Sequence, residues 1–261
     1  MSRFEGRSVI VTGGAKGIGA AICTAFAEEG ARVMCADVDV VAGEALASAP
    51  TAAGEIHFLR ADVSKAQECD DLVAATVAAF GGVDVLCNNV GIQPTDSYQR
   101  LHEVTDDAWD RILDVNLKSF FLVSRVCIPH MLSAGGGAII NTASVQGLQS
   151  AKGVPAYAAS KGAILSLTRQ MALDYAEDGI RVLAVNPGTI DTPLVDEALE
   201  AIGGDEQAIR VSMAAAHPMN RIGQPREIAK VVLFLASDDA SFMTGESVCV
   251  DGGLMARGSW G

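Results

Sequence analysis

Short apolar runs rich in β-branched residues alternate with longer segments of helical composition along most of the chain. The apolar runs predict seven strands, at residues 8–12, 32–37, 56–62, 83–88, 138–142, 181–186 and 247–250. Helices are predicted at residues 18–29, 66–80, 106–131, 156–176 and 225–235. Because the strand runs are almost continuously apolar, we expect strands buried on both faces, as in a parallel sheet. The pattern therefore predicts one doubly wound α/β domain over residues 1–261, with about seven parallel strands and helices on both faces of the sheet.

Residues 189–218, called the flap below, interrupt this alternation. They follow a predicted strand that ends in Pro-Gly, and they contain Thr-Pro, Gly-Gly and many alanine and glutamate residues. That composition predicts a helical segment over the sheet edge, either a surface insertion or a lid over bound substrate. In doubly wound folds ligands bind beyond the carboxyl ends of the strands, so the candidate chemistry belongs just after each predicted strand.

Composition and charge narrow the class of partner. Nineteen basic and 32 acidic residues give a net charge of −13, which repels nucleic acid and anionic membrane surfaces. No apolar run reaches the ~18 residues of a membrane span, and the chain enters its first predicted strand too early for a signal peptide, so we expect a cytoplasmic protein. The six cysteines are widely spaced, mostly in apolar runs, which predicts buried free thiols and neither a disulfide framework nor a metal site.

A glycine-rich stretch joins the first predicted strand to the first predicted helix and reads Thr12-Gly13-Gly14-Ala15-Lys16-Gly17-Ile18-Gly19. Its glycines allow a tight turn, a close approach of the backbone to a diphosphate, and close packing of the helix on the sheet. The start of the helix would then offer free N–H groups to the anion. In this position between a strand and a helix, the stretch predicts a dinucleotide site.

Asp37 ends the second predicted strand, 18 residues after Gly19, near the ~20 expected for the acid that binds an adenosine ribose. Its carboxylate can accept hydrogen bonds from both ribose hydroxyls and repels a 2′-phosphate, which favours NAD over NADP. Lys16 is the feature that favours a 2′-phosphate instead. Two further strand ends are expected to line an adenine pocket and the floor beneath the cofactor, at Asp62-Val63 and Asn88-Asn89-Val90-Gly91.

Tyr157 and Lys161 lie four residues apart in a predicted helix, so both side chains project from one face. A free tyrosine titrates near ~10, too high for a base at neutral pH, and a neighbouring ammonium is expected to lower that pKa. Ser144 follows the predicted strand at residues 138–142 and is placed to hydrogen-bond a carbonyl or alkoxide oxygen. In this order, behind a dinucleotide turn, the three residues predict proton transfer at an alcohol or carbonyl group.

Together these motifs resemble those of the short-chain dehydrogenase/reductase (SDR) family, in its main single-domain branch, along essentially the full chain. The elements that match are Thr12-Gly13-x-x-x-Gly17-x-Gly19, Asn88-Asn89-Val90-Gly91 with valine in place of alanine, Asn116, Ser144, Tyr157, Lys161, Asn186-Pro187-Gly188, Ile190, Thr192 and Asp251-Gly252-Gly253.

The resemblance implies hydride transfer between a substrate carbon and a nicotinamide. Tyr157 would exchange the hydroxyl proton, and Lys161 would lower the pKa of Tyr157 and hold the nicotinamide ribose. Ser144 would orient the substrate oxygen, and Asn116 would support a water relay to Lys161. The cofactor contacts that motifs and resemblance together imply are Gly13, Lys16, Gly17, Ile18, Gly19, Asp37, Asp62, Val63, Asn89, Gly91, Tyr157, Lys161, Pro187, Gly188, Ile190 and Thr192.

The resemblance also implies a homotetramer built on the helices predicted at residues 106–131 and 156–176 and on the C-terminal segment. In that segment Leu254, Met255 and Trp260 are expected to be buried against a neighbouring copy, or to belong to a frayed terminus.

The substrate is expected to contact residues 92–98, residues 145–154 and the flap. Gln93, Gln146, Gln149 and Ser150 suit a sugar, a polyol or another hydroxylated substrate, or else they are solvated loop residues. The NAD preference favours oxidation of a secondary alcohol, small cyclic alcohols included. A 3-oxoacyl-thioester reductase is the alternative within the family, and a non-catalytic NAD-sensing protein is the alternative outside it.

Overall fold

The computed structural model describes residues 2–258, and its seven strands form one fully parallel sheet in the order β3-β2-β1-β4-β5-β6-β7. The strands are β1 (Ser8–Thr12), β2 (Arg32–Asp37), β3 (Glu55–Arg60), β4 (Val85–Asn88), β5 (Gly137–Thr142), β6 (Ile180–Pro187) and β7 (Ser247–Val250). All seven predicted strands are present, and the predicted doubly wound α/β fold is confirmed. The order reverses between β1 and β4, which opens a crevice at the carboxyl ends of these two strands.

The α-helices lie on both faces of the sheet. They are α1 (Gly17–Glu28), α2 (Val40–Ala47), α3 (Ala66–Phe80), α4 (Asp106–Leu113), α5 (Ser119–Ala134), α6 (Pro155–Tyr175), α7 (Pro193–Ile202), α8 (Glu206–Ala216) and α9 (Pro225–Ala236). No helix within residues 2–258 is long and apolar enough to cross a membrane.

Two apolar cores fill the layers between sheet and helices. Successive residues of a strand point to opposite faces, so Val9 and Val11 of β1 join the core beneath α1 and α9. Ile10, between them, joins the core formed with α3, α5 and α6. The central strands are therefore buried on both sides, which explains their nearly continuous apolar runs.

Four details of the sequence prediction are wrong. The helix predicted at residues 106–131 is interrupted by a π-helical turn at Asp114–Lys118, which separates α4 from α5. Helix α2, eight residues long with a glycine inside it, was not predicted. Strand β3 ends at Arg60, so Asp62 lies beyond it. The strands β3 and β7 lie at the two edges of the sheet and contain exposed or partly exposed residues, so they are not buried on both faces.

The flap is helical, as predicted, and consists mainly of α7 and α8. Its two ends are joined by His217, whose Nε2 accepts a hydrogen bond from the N–H of Thr189 at 3.1 Å. The Nδ1 of His217 lies 2.8 Å from the carbonyl oxygen of Met213 in α8, so the neutral ring donates there. The flap thus leaves and re-enters the domain at one point, below the carboxyl end of β6.

Candidate active site

The glycine-rich turn forms one wall of the crevice between β1 and β4. Helix α1 begins at Gly17, whose φ of 53° lies in the left-handed region, and no side chain caps its first turn. The N–H groups at the start of this 12-residue helix are therefore available to an anion.

Close backbone contacts shape the turn. A Cβ atom at position 19 would lie 2.0 Å from the carbonyl oxygen of Gly13 and 2.8 Å from Nδ2 of Asn89. That nitrogen donates to the carbonyl oxygen of Gly13 at 3.1 Å, so Asn89 ties the end of β4 to the turn after β1. Val90, the residue that departs from the family pattern, packs on the turn, because a Cβ at position 13 would lie 2.8 Å from its Cα.

Charged groups beyond β2 bear on the choice of cofactor. The carboxylate of Asp37 accepts hydrogen bonds from the N–H of Ala15 and the N–H of Asp39, both at 3.0 Å. The ammonium of Lys16 forms an ion pair with Asp39, and that neighbour raises the pKa of Lys16. The cation that could receive a 2′-phosphate is therefore already paired, whereas Asp37 faces the cofactor turn.

Asp62 and Val63 follow β3 rather than ending it. Oδ1 of Asp62 accepts from the N–H of Ser64 at 3.1 Å and from its hydroxyl at 2.7 Å, so this oxygen shapes the turn that leads into α3. Val63 is buried in the core. A contact with adenine stays a prediction for both residues.

Lys161 and Asn116 meet beside Gly91. A Cβ at position 91 would lie 3.4 Å from Nζ of Lys161 and 3.8 Å from Oδ1 of Asn116. Nζ of Lys161 donates to the carbonyl oxygen of Thr142 at 2.9 Å. The Thr142 hydroxyl in turn donates to Oδ1 of Asn89 at 3.3 Å, so a continuous polar chain links the lysine to the glycine-rich turn.

The π-helical turn places Asn116. Its fully buried amide binds both polar backbone groups of Ile92. The amide oxygen accepts from the N–H of Ile92 at 2.7 Å, and the amide nitrogen donates to its carbonyl oxygen at 2.9 Å. Asn116 therefore fixes the segment that follows β4, immediately next to Lys161. The implied water relay stays a prediction.

Burial governs the pKa values of Tyr157 and Lys161. It raises the pKa of the Tyr157 phenol to about 12, with a smaller opposite effect from the hydroxyl of Ser144. It lowers the pKa of Lys161 to about 7. Desolvation disfavours the charged form of both groups. Nζ of Lys161 lies 5.5 Å from the centre of the tyrosine ring, and the expectation that Lys161 lowers the pKa of Tyr157 stays a prediction.

The predicted contacts after β6 lie against the glycine-rich turn. A Cβ at position 17 would lie 3.2 Å from Cγ2 of Thr192, so Thr192 and the turn face each other across the crevice. Ile190 is buried and pairs with Gly223 in a short bridge. Pro187 ends β6, and the N–H of Gly188 donates to the carbonyl oxygen of Val250 at 3.1 Å.

The structure separates the predicted substrate residues. Gln146 and Ser150 line a cavity of about 480 Å³ between residues 99–101 and 146–159, whereas Gln149 and Gln93 do not. Gln149 is exposed. Gln93 is only 6% exposed, and its side chain forms no hydrogen bond with any residue in the range 2–258.

Sequence reasoning placed Tyr98 and His217 inside segments expected to contact substrate, residues 92–98 and the flap, but singled out neither residue. The signal for Tyr98 was its place at the end of the segment expected to contact substrate. Nothing in the local sequence marks His217, whose role depends on the fold bringing both ends of the flap together.

Comparison with known proteins adds to this geometry. The family model described as enoyl-(acyl carrier protein) reductase matches residues 13–255. The chain is 38% identical to a cyclopentanol dehydrogenase of Comamonas sp., over 98% of this chain and 100% of the relative. It is also 38% identical to a cis-4-hydroxycyclohexanecarboxylate dehydrogenase of Sinomonas cyclohexanicum, over 97% of this chain and 98% of the relative. The structure of an aldohexose dehydrogenase of Thermoplasma acidophilum superimposes with a TM-score of 0.90 at 36% identity, over 100% of this chain and 98% of the other.

The chain belongs to the SDR family. The predicted resemblance is thereby confirmed, together with the class of enzyme, an oxidoreductase that acts on CH–OH groups. SDR enzymes use nicotinamide cofactors, and the glycine-rich turn with its uncapped helix is the part of this chain that fits one.

Five of the six cysteines are buried and all six are free thiols, as the sequence predicts for most of them.

Proposed function

We propose that this protein is an NAD-dependent dehydrogenase of secondary alcohols, in which Asn116, Ser144, Tyr157 and Lys161 carry out the proton chemistry. The observation that carries the proposal is the convergence of these side chains beside a glycine-rich turn. Tyr157 and Lys161 project from α6, Ser144 follows β5, and Asn116 anchors the segment after β4. When bound, the nicotinamide supplies the hydride acceptor and, in its oxidised form, a positive charge.

Tyr157 takes up the hydroxyl proton of the alcohol. With a pKa of about 12 it is a poor base at neutral pH, so its pKa must fall when cofactor and substrate bind. The Ser144 hydroxyl already favours the phenolate, and protonation of Lys161 would add a cation 5.5 Å from the ring centre. Lys161 has a pKa of about 7, so a small change in its surroundings decides its charge.

NAD is preferred to NADP because of the charges beyond β2. Asp37 and Asp39 contribute two carboxylates, and Lys16 offsets only one of them. The remaining negative charge repels a 2′-phosphate, while free lone pairs on the Asp37 carboxylate suit ribose hydroxyls.

The substrate class rests on Gln93 and on the relatives. Gln93 lies two residues after Gly91, which borders Lys161, and its side-chain amide forms no hydrogen bond with residues 2–258, so it has hydrogen-bonding capacity to offer a polar substrate. Two relatives are named for cyclic alcohols and one for aldohexoses. Small cyclic alcohols and sugars are therefore the proposed substrates, with the flap as their lid. Contacts of Gln146, Gln149 and Ser150 with substrate stay predictions.

A homotetramer is proposed from exposed apolar side chains. Phe121 on α5, Leu173 on α6, Phe234 on α9 and Phe242 are exposed. Large apolar side chains left exposed on three helices fit contacts between copies of the chain. Leu254 and Met255 are partly buried within their own chain, and Trp260 lies outside the described residues. Light scattering of the purified protein at micromolar concentration tests the proposal, and a monomer would contradict it.

A cytoplasmic location of the protein stays a prediction.

The test of the proposed function is the rate of NADH formation, followed by absorbance, with NAD or NADP and a panel of cyclic alcohols, sugars and 3-hydroxyacyl thioesters. We expect turnover with NAD on the cyclic alcohols or sugars. A higher kcat/KM with NADP would overturn the cofactor assignment, and turnover of thioesters alone would support the acyl-thioester alternative. An increase in Tm with NAD, without turnover of any compound, would support the NAD-sensing alternative.

A further inference from the structure

His217 lies buried at the base of the flap, and both of its ring nitrogens form hydrogen bonds. The residue is 3% exposed and directly follows α8. The carbonyl oxygen of Met213 is one of the last four of that helix, which have no partner within it, and Nδ1 of His217 donates to this oxygen at 2.8 Å. With the proton on Nδ1, Nε2 has a free lone pair, which accepts from the N–H of Thr189 at 3.1 Å. The end of α8 therefore selects the tautomer that binds Thr189.

Close contacts fix the position of this ring. A Cβ at position 188 would lie 2.8 Å from Nε2 of His217, so the ring fits because Gly188 has no side chain. A Cβ at position 252 would lie 3.4 Å from the Cβ of His217. The N–H of Met219 donates to the carbonyl oxygen of Gly252 at 3.1 Å, which ties the chain after His217 to the segment that follows β7. The ring is thus anchored to the sheet side of the domain.

Thr189 belongs to the β6 loop (residues 188–192), which faces the glycine-rich turn. At the end of the β6 loop, Cγ2 of Thr192 lies 3.2 Å from where a Cβ at position 17 of that turn would be. The carbonyl oxygen of Thr189 accepts from the N–H of Gly223 at 2.9 Å, so the segment before α9 holds one side of the peptide chain. His217 holds the N–H of the same residue. Both polar backbone groups of Thr189 are therefore fixed.

The order of the strands places the β6 loop on one side of a bound dinucleotide. The glycine-rich turn after β1 fits the diphosphate, and Asp37 at the end of β2 marks the adenosine side. Strands β4, β5 and β6 lie on the other side of β1. Tyr157 and Lys161 also lie on that side, because Lys161 binds the carbonyl oxygen of Thr142 at the end of β5. The β6 loop is therefore on the side proposed for the nicotinamide.

We infer that His217 is a positioning residue for the nicotinamide side of the site. By accepting a hydrogen bond from Thr189, it holds the β6 loop at the distance from the glycine-rich turn that the cofactor needs. His217 acts through Thr189 and not on the reacting atoms. The inference rests on the proposed function, because that function places the nicotinamide on this side of the crevice.

Two substitutions separate the two hydrogen bonds of the ring. In His217→Gln the side-chain oxygen can replace Nε2 as the acceptor for Thr189. In His217→Asn the side-chain nitrogen can replace Nδ1 as the donor to Met213, but the shorter side chain leaves the N–H of Thr189 without an acceptor. The experiment is calorimetry of wild type and both variants with NADH and with ADP-ribose, which lacks the nicotinamide.

We expect the Kd for NADH to rise about tenfold in His217→Asn, because a buried N–H loses its partner, and to stay within about threefold of the wild type in His217→Gln. The Kd for ADP-ribose should stay within about twofold in both variants, since its adenosine and diphosphate groups bind on the other side of β1. The kcat for alcohol oxidation should fall in His217→Asn and recover in His217→Gln.

Three results would overturn the inference. An equal loss of affinity for ADP-ribose would mean that His217 supports the fold as a whole. Equal effects of the two variants would mean that the ring fills space without acting through Thr189. Unchanged binding of NADH by His217→Asn would show that the β6 loop is held without this hydrogen bond.

A measurement on the wild type needs no variant to fold. NMR of protein labelled with ¹⁵N in its four histidines reports which ring nitrogen carries the proton. We expect the neutral ring of His217 to carry it on Nδ1. A proton on Nε2 would remove the acceptor for Thr189 and would contradict the inference.

Both measurements are independent of turnover, so they test the inference even if no alcohol is oxidised. If the protein prefers NADP, NADPH and 2′-phospho-ADP-ribose replace the two ligands in the same comparison. Absence of binding of either reduced cofactor by the wild type would overturn the proposed function and the inference together.

Discussion

The two halves of the site differ in how tightly backbone packs on backbone. At Gly19 in the cofactor half, a Cβ atom would lie 2.0 Å from a backbone oxygen. At Gly203 in the flap it would meet nothing within 4 Å, and glycine is favoured there only by its φ of 69°. The cofactor half consists of backbone held to backbone between β1, β4 and α1. The flap consists of two exposed helices held at their ends and by the ion pairs of Arg210.

The residues proposed for proton transfer lie in the tightly packed half of the site, and the loosely packed flap is the proposed lid over the substrate. The groups proposed to hold the cofactor and move the proton are buried and bonded to one another, so most substitutions there disturb several contacts at once. The flap, which is proposed to face an incoming substrate, has few buried side chains, among them Leu199. Such a segment tolerates substitution, which allows closely similar scaffolds to accept different alcohols.

Gly19→Ala is expected to have the largest effect among the variants of the cofactor half. Because the added methyl must displace the Gly13 carbonyl or the Asn89 amide, affinity for NADH should fall by about 100-fold. Isothermal calorimetry with NADH measures this directly. Gly82→Ala is the control, since a Cβ there meets nothing within 4 Å. Equal affinity of the two variants for NADH would contradict the claim that close backbone packing around Gly19 shapes the cofactor site.

Asp37→Asn is expected to shift the cofactor preference. Removing the charge while keeping an acceptor for the N–H groups of Ala15 or Asp39 should reduce the NAD/NADP ratio of kcat/KM by about tenfold or more. Asp39→Asn frees Lys16 from its ion pair and should change the ratio in the same direction by a smaller factor. An unchanged ratio in both variants would mean that charges beyond β2 do not select the cofactor.

Lys161→Met is expected to abolish activity and yet stabilise the ligand-free protein at neutral pH. The native pKa of about 7 lies below the ordinary 10.5, so between these values the unfolded chain binds more protons, and Lys161 costs stability that is regained as pH rises. At pH 7 the variant should melt several degrees higher than the wild type, and the difference should shrink toward pH 10. A difference in Tm that stays constant with pH would argue against a lysine pKa lowered by burial.

Arg210→Gln is expected to have the smallest effect. Its three carboxylate partners lie at the surface, where ion pairs contribute little to stability, so the Tm should change by no more than a few degrees. The KM for the alcohol should rise by a few-fold because the flap is held less firmly, while the Kd for NADH stays unchanged. A loss of NADH binding would show that the flap and the cofactor half are not separable.

Much of this comparison could be predicted from the sequence, for a physical reason. Buried parallel strands need unbroken apolar runs, and a diphosphate-binding turn needs glycines at fixed spacing, so both features are visible without the fold. The same holds for Tyr157 and Lys161, whose helical spacing places them together.

What the sequence could not predict depends on packing between distant segments. Helix α2 is short and contains Gly43, which lies so close to the ring of Phe58 that a Cβ would be 2.0 Å from it. The π-helical turn at Asn116 leaves no break in the apolar pattern. The raised pKa of Tyr157 follows from burial, and the contact of His217 with Thr189 follows from the way the flap folds back.

The central claim is that Tyr157 moves the proton in a site whose cofactor half works independently of it. Tyr157→Phe tests this most directly, because it removes one hydroxyl and leaves the ring in place. The account predicts that kcat for alcohol oxidation falls by about 1,000-fold, within the range for lost acid–base catalysis, while calorimetry gives a Kd for NADH close to that of the wild type. A variant that retains more than about a tenth of the wild-type kcat, at any pH between 7 and 10, would contradict the claim.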